Sequence, residues 1–438
     1  ETDGESRPVY PTHVPVGDYG FNRYDRKQYA IGYLFEHRFN DGITVRQNAR
    51  YQRGKLDQRD LYPQGLRPDG HTLRRYAMVS KESADGVVVD TQGEFRFNAG
   101  RAAHTLLAGF DYRFQDGQQW YRQGLAPDLD LNDPVYDQNI PYPGAVNTFI
   151  DQKDVNRQYG LYLQDQLKVD RVVVTAGLRH DWATSDSRNR LTSTTTRQND
   201  TALTGRLGLA YLFDSGVTPY VSYSTSFNPQ SGVSMDATPF KPTKGEQYEF
   251  GIKYQPPGSN SMVAASFFDL TQRNALTPDP RNTNFSVQTG EIRSRGIELE
   301  GKASLARNLD VLASYTLNDV NVTKSNNPLE KDNTPIVTPR HMASAWVNYT
   351  LADTALRGLG MGVGVRYVGK TYVDVANTME NGSSFMVDAG LHYQLEKWRF
   401  AFDATNIFNR ETIVCRNNQT NCRYGLERTF IASVAYRW

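Results

Sequence analysis

The stretch Leu309-Asp310-Val311-Leu312-Ala313-Ser314-Tyr315-Thr316-Leu317-Asn318 reads Leu, Val, Ala, Tyr, Leu on one face of an extended chain and Asp, Leu, Ser, Thr, Asn on the other. Successive strand side chains point to opposite faces, so this period of two predicts a strand with one apolar side and one polar side. The pattern recurs along the chain. Met361, Val363, Val365 and Tyr367 alternate with Gly362, Gly364 and Arg366, and Phe385, Val387, Ala389, Leu391 and Tyr393 alternate with Met386, Asp388, Gly390 and His392. A soluble sandwich alternates too, so strand length and the connections must decide. Many segments here run ten or more residues, against about five or six in soluble sheets. A tilted strand needs about 9–11 residues to cross a bilayer.

The connections fall into two kinds. Short turns such as Asn40-Asp41-Gly42, Asp214-Ser215-Gly216, Pro256-Pro257-Gly258 and Glu396-Lys397 alternate with long polar loops near 57–72, 116–151, 185–199, 228–243, 276–284, 319–338, 371–382 and 410–423. Short turns on one rim and long loops on the other are the outer-membrane arrangement. The expected fold class is therefore all-β, a transmembrane antiparallel β-barrel. About 17 strands are expected, the first near 27–39 and the last near 426–438. Residues 1–26, with Pro8, Pro11 and Pro15 and no alternation, read as the remnant of an extracellular loop, leaving 27–438 as the barrel domain. An odd, open set of strands would leave an unpaired edge in lipid, so an upstream portion of the protein is expected. The last residues, Phe430, Ala432, Val434, Tyr436 and Trp438, alternate up to an aromatic terminus, as outer-membrane barrels characteristically do.

Composition agrees. The 438 residues carry 49 basic and 48 acidic side chains, a net charge of +1, so no bulk field draws the chain to nucleic acid. It has 26 Tyr, 20 Phe and 5 Trp, yet the mean hydropathy is −0.62. No stretch approaches the roughly 18–20 consecutive apolar residues of a membrane helix, which says little about a barrel. Two cysteines, Cys415 and Cys422, lie in a polar stretch near the C-terminus. A short-loop disulfide in an oxidising compartment accounts for them best, the alternative being two unpaired thiols. Two sulfurs without a neighbouring histidine make no zinc site.

Nothing singles out catalysis. The seven histidines are scattered, and there is no H-E-x-x-H, G-x-S-x-G or P-loop. Asp128-Leu129-Asp130-Leu131-Asn132-Asp133 alternates carboxylates but lacks the glycine and distal glutamate of a calcium loop, so it reads as a solvated loop. The chain is expected not to be an enzyme.

Several strings, in order along the chain, resemble the TonB-dependent siderophore receptors, most closely the ferrichrome and ferrioxamine group. They include Gly32-Tyr33-Leu34-Phe35-Glu36-His37-Arg38-Phe39-Asn40-Asp41, Gly160-Leu161-Tyr162-Leu163-Gln164-Asp165-Gln166, Gly290-Glu291-Ile292-Arg293-Ser294-Arg295-Gly296-Ile297-Glu298-Leu299-Glu300 and Asn406-Ile407-Phe408-Asn409-Arg410. The resemblance implies a barrel of about 22 strands around an N-terminal plug, of which the strands here look like about the last 17. The plug, its TonB-coupling box and about five strands would lie upstream. It further implies an outer-membrane receptor, expected as a monomer, that binds a ferric siderophore of the hydroxamate type and imports it with energy from the TonB complex acting through that plug. No cofactor is implied, because the iron arrives already chelated. The long loops also offer phages and colicins an attachment surface, which no residue pattern specifies.

Tyr62 stands where the ferrichrome receptors carry a ligand-contacting tyrosine, and Trp120 and Tyr121 stand near another binding aromatic, two residues out of step. Aromatic rings suit a moderately polar organic shell, offering contact area at little entropy cost. The bland alternative for each is the aromatic girdle of the membrane interface. Three departures point away from ferrichrome itself. The residue after the first cysteine is Arg416 where an aromatic is common, with the cysteines one residue wider apart, and the 57–72 loop has no disulfide. A more acidic ligand or a linear hydroxamate would suit Arg416. The competing expectations are a TonB-dependent receptor for another cargo, namely a catecholate or carboxylate siderophore, haem, cobalamin or a glycan, and a passive porin. For haem, His71 is the one long-loop histidine.

Overall fold

The structure is a computed structural model that describes residues 14–236, 238–279, 281–352 and 356–438. The wall is built from β1 (Arg23–Asn40), β2 (Ile43–Leu66), β3 (Thr72–Ala99), β4 (Ala102–Asp130), β5 (Thr148–Val169), β6 (Val172–Asn189), β7 (Thr194–Tyr211) and β8 (Val217–Asn228). It continues through β9 (Thr243–Tyr254), β10 (Met262–Asp279), β11 (Asn282–Ala306), β12 (Leu309–Lys324), β13 (His341–Thr350) and β14 (Leu359–Val368). Two short strands, β15 (Thr371–Tyr372) and β16 (Glu380–Asn381), form a side hairpin before β17 (Ser384–Leu395) and β18 (Trp398–Thr405). A second side hairpin, β19 (Ile413–Arg416) with β20 (Asn418–Tyr424), precedes the last wall strand, β21 (Thr429–Tyr436).

The wall is one 17-stranded sheet in which every strand pairs antiparallel with its neighbours in chain order. Among the described residues β1 pairs only with β2 and β21 only with β18, so the sheet has two edges and is not closed. The count of 17 and the transmembrane antiparallel class agree with the sequence. The first strand begins earlier than expected, at Arg23. Of the expected loop remnant, residues 1–13 lie outside the described residues.

Register shows why the two faces differ. Ala343, Ala345, Val347 and Tyr349 of β13 stand opposite Tyr367, Val365, Val363 and Met361 of β14, which in turn face Phe385, Val387, Ala389 and Leu391 of β17. This continuous apolar face is the lipid side of a barrel wall. The other face carries Arg366, which ion-pairs with Asp388 at 2.6 Å, and the Trp346 indole. A Cβ on Gly362 or Gly364 would run into that ring, so glycine at both positions lets the indole lie against the wall. At the end of the wall Phe430, Ala432, Val434 and Tyr436 stand opposite Ala404, Phe402, Phe400 and Trp398, extending the apolar face.

Several of the expected long loops are partly strand, whereas 131–144, 229–236 and 325–338 lie outside the strands as expected. At roughly 3.3 Å per residue and a tilt of about 45°, a strand climbs about 2.3 Å per residue across the membrane. β13 and β14, with 10 residues each, match the apolar band. β3 has 28 residues and β4 has 29, enough to rise about 65 Å against a band about 25 Å tall. Segments 57–72 and 116–130 belong mostly to these projections, because antiparallel pairing satisfies backbone groups in water as it does in lipid. Among the described residues, the buried apolar clusters also lie outside the band. One gathers Phe21, Leu61, Ala77, Val79 and Ile140. The other gathers Val373, Ile413 and Cys415.

Val363 is half exposed on the apolar face, the fifth residue of β14, near mid-band. Val363→Arg is expected to destabilise the barrel by about 2–4 kcal/mol, read as a lower denaturant midpoint in a lipid-bilayer unfolding titration. An unchanged midpoint would place Val363 on the polar face.

Candidate functional site

The projecting part of β2, β3 and β4 holds three of the residues singled out in the sequence. The β2–β3 register runs unbroken from Ile43–Phe95 to Pro63–Arg75, and that of β3–β4 from Arg75–Ala126 to Ala99–Ala102. Faces can therefore be followed from the membrane upward by counting in twos. Arg46, Asn48 and Arg50 lie on the polar, lumen face, and so does Tyr62. Asp111 and Arg113 lie on that face of β4, and so does Tyr121.

Trp120 falls on the other face, continuing the line of Phe110, Tyr112 and Phe114. It packs against the cluster of Leu61, Ala77 and Val79, with the Arg122 guanidinium 4.3 Å from its ring centroid. Trp120 and Tyr121 thus do separate jobs. Adjacent residues on a strand cannot share a face, so of these two aromatics only Tyr121 is turned to the lumen. Residues 14–22 and 135–140 cover this outer side. Phe21 is buried there, and the Asp18 carboxylate accepts the Gln138 N–H at 3.1 Å. Arg75, also buried, donates to the carbonyls of Pro127 (2.9 Å) and Val16 (3.2 Å).

On the lumen face the phenols of Tyr62 and Tyr121 sit near two carboxylates. Burial raises the pKa of Tyr62, the Asp60 charge raises it further, and the Arg423 charge opposes them. Burial, then Tyr62, Asp60 and Glu82, push Tyr121 up to about 12. Asp60 accepts the Asn22 amide at 3.0 Å and is itself held above the usual carboxylate range by burial.

Arg423 was not singled out in the sequence. It lies on β20, next to Cys422, and Cys415 and Cys422 form a disulfide that closes the β19–β20 hairpin. Its charge is the one that opposes the rise at Tyr62. Adjacency to a cysteine was the one available signal. Arg416 is exposed at the turn of the same hairpin, opposite Asn418. His71 is tied to Asp130, with its Nδ1 3.1 Å from the carboxylate. Among the described residues no group of three or more His, Cys, Asp or Glu is placed to hold a metal ion. What gathers on the lumen face is a set of neutral phenols between carboxylates and a cation, able to donate hydrogen bonds to a polar organic surface.

A raised phenol pKa means the native state favours the neutral form. Its contribution to stability is complete below the ordinary tyrosine pKa of 10.0 and is lost as pH climbs through about 12. The mouth should therefore loosen across that alkaline window, seen as faster proteolysis of the projecting strands. Tyr121→Phe should flatten the response, and an identical response in that variant would show that Tyr121 does not titrate there.

The family described as TonB dependent receptor-like, beta-barrel matches residues 3–407. The ferrichrome outer membrane transporter/phage receptor of Escherichia coli K12 is 39% identical over 447 residues, covering 95% of this chain and 59% of that protein. The ferrioxamine B receptor of Salmonella typhimurium is 32% identical over 426 residues, covering 96% and 60%. The chain spans about three fifths of the length of the curated relatives it matches. Among solved structures, the siderophore receptor PiuA from Acinetobacter baumannii superposes with a TM-score of 0.85 at 18% identity, covering 98% of this chain and 67% of that one. The ferric-catecholate import receptor Fiu of Escherichia coli K12 gives 0.83 at 19%, covering 98% and 66%. The relatives are named as transporters and receptors, and with a match running through most of the wall strands this chain belongs to the TonB-dependent receptor β-barrel family.

Proposed function

We propose that the chain forms barrel wall and mouth of an outer-membrane receptor that binds a ferric siderophore, of the hydroxamate type, and imports it with energy relayed from the TonB complex through a plug. The observation that carries this reading is the pair of phenols, Tyr62 and Tyr121, facing the lumen at the mouth within reach of the Arg423 charge. The names of the ferrichrome and ferrioxamine receptors support the cargo class. A hydroxamate shell presents carbonyl and N–O oxygens around iron that is already fully ligated. Phenol and guanidinium groups can donate to those oxygens without entering the metal's coordination sphere. Arg416 and Arg423 would offset negative charge on an acidic or linear chelate. Iron is cargo here, so the protein needs no cofactor, and the ligand leaves chemically unchanged. Trp120 supports the site from behind by holding the outer face of β4. Haem is a weaker reading because His71 is engaged with Asp130. The loops at 131–147 and 229–242 are the surface we assign to phage or colicin attachment, and the Escherichia coli relative is named a phage receptor.

Tryptophan-fluorescence titration of the full-length receptor with ferrichrome, ferrioxamine B and a ferric catecholate is expected to show saturable quenching by a hydroxamate. Silence with all three, from a folded barrel, would overturn the hydroxamate assignment. Tyr62→Ala should weaken binding by about tenfold or more, the scale of one lost anchoring contact. Trp120→Phe, which keeps the packing, should stay within about twofold. Equal losses in the two variants would refute the division between lumen and outer faces.

A further inference from the structure

The β19–β20 hairpin carries Arg416 and Arg423, yet among the described residues it pairs with no wall strand. Its own ladder is short: Ile413–Tyr424, Val414–Arg423 and Cys415–Cys422, then a register shift. A two-stranded hairpin is marginal by itself in water, so its position depends on what it docks against. That partner is the β15–β16 hairpin, and the contact centres on one side chain.

Asn381 is 2% exposed. Its amide N–H donates to the Cys415 carbonyl at 3.0 Å and to the Thr371 hydroxyl at 3.1 Å. Its amide oxygen accepts the Cys415 N–H at 2.7 Å. One carboxamide thus meets both backbone groups of Cys415, as a residue on a neighbouring antiparallel strand would. Among side chains of this length only asparagine offers donor and acceptor together; an ionised aspartate accepts but cannot donate. Cys415 is 1% exposed and is bonded to Cys422, so holding its backbone fixes the corner of the hairpin. A second tie, from the Asn417 N–H to the Val373 carbonyl at 2.8 Å, sets the hairpin's angle, and Val373 and Ile413 pack beneath. The β15–β16 side is itself anchored to the loop after β12. There the Val337 N–H donates to the Tyr372 carbonyl (2.9 Å) and the Thr334 N–H to the Asn377 amide oxygen (2.9 Å).

We propose that Asn381 is a positioning residue of the mouth: by pairing its carboxamide with the backbone of Cys415 it holds the disulfide hairpin, and with it Arg416 and Arg423, at the lumen opening. The role in ligand capture rests on the receptor reading given above. The Arg423 charge acting on Tyr62 accords with that position. Removing the carboxamide leaves two buried backbone groups of Cys415 unmatched.

The test uses the full-length receptor with three substitutions, Asn381→Ala, Asn381→Asp and Arg423→Gln, and the Asn381→Ala/Arg423→Gln double variant. Heat-modifiable gel mobility confirms that the wall is intact, as expected for changes outside the membrane. Hydrogen exchange of the amides in 413–424 should accelerate by about tenfold or more in Asn381→Ala. It should also accelerate in Asn381→Asp, which guards against an Ala variant that fails to assemble. Whichever of ferrichrome and ferrioxamine B saturates the wild type should bind about tenfold more weakly to Asn381→Ala. If Asn381 acts through Arg423, the double variant should bind little worse than Arg423→Gln alone. Unchanged exchange in both Asn381 variants overturns the positioning role. Fully multiplicative losses in the double variant overturn the route through Arg423. A wild type that binds neither siderophore defeats the functional reading, while the exchange measurement still decides whether Asn381 holds the hairpin.

Discussion

Backbone hydrogen bonding inside lipid is the constraint on which the rest of the structure depends. No water is available in the hydrocarbon to satisfy an N–H or a carbonyl, so every strand must pair along its whole buried length. The unbroken registers of β2, β3 and β4 are the direct expression of that demand. Once register is locked, each side chain's face is locked with it, because a slip of one residue would turn the lipid side inward. Tyr62 and Tyr121 face the lumen at the mouth because Arg50 and Asp111 face the lumen farther down the same strands.

That dependence also decides what could be read from the sequence. Met361, Val363, Val365 and Tyr367 announced β14 and its lipid face, since a strand in a membrane needs only its own alternation to be recognised. The projecting strands were mistaken for loops. Segment 116–119 is polar on both faces, and a strand that leaves the membrane no longer has to show an apolar side. What remained visible was composition, and polar composition reads as loop.

The mouth was less legible than the wall. Tyr62 and Tyr121 could be nominated by position along the chain. Their separation from Trp120 required the register, which a pattern of residue types in an assumed loop does not supply. Arg423 and Asn381 were out of reach for a different reason. Asn381 matters through Cys415, 34 residues away, and Arg423 matters through Tyr62, on a strand near the other end of the chain. Contacts between distant segments leave no periodic trace in either one.

The order of the sheet carries a consequence for assembly. Every wall strand pairs with its neighbour in the chain, so the large sheet is made almost wholly of hairpin contacts, and loop-closure entropy rises only slowly with the few residues each turn encloses. The wall can grow by successive addition of hairpins, each completing the edge left by the last. The interlocked segments around Thr334, Asn381 and Cys415 do not fit that scheme, because each tie joins pieces separated by two wall strands. They can close only when those strands already stand side by side. The mouth is therefore a late product of folding, and its completion reports that the neighbouring wall has been built in register.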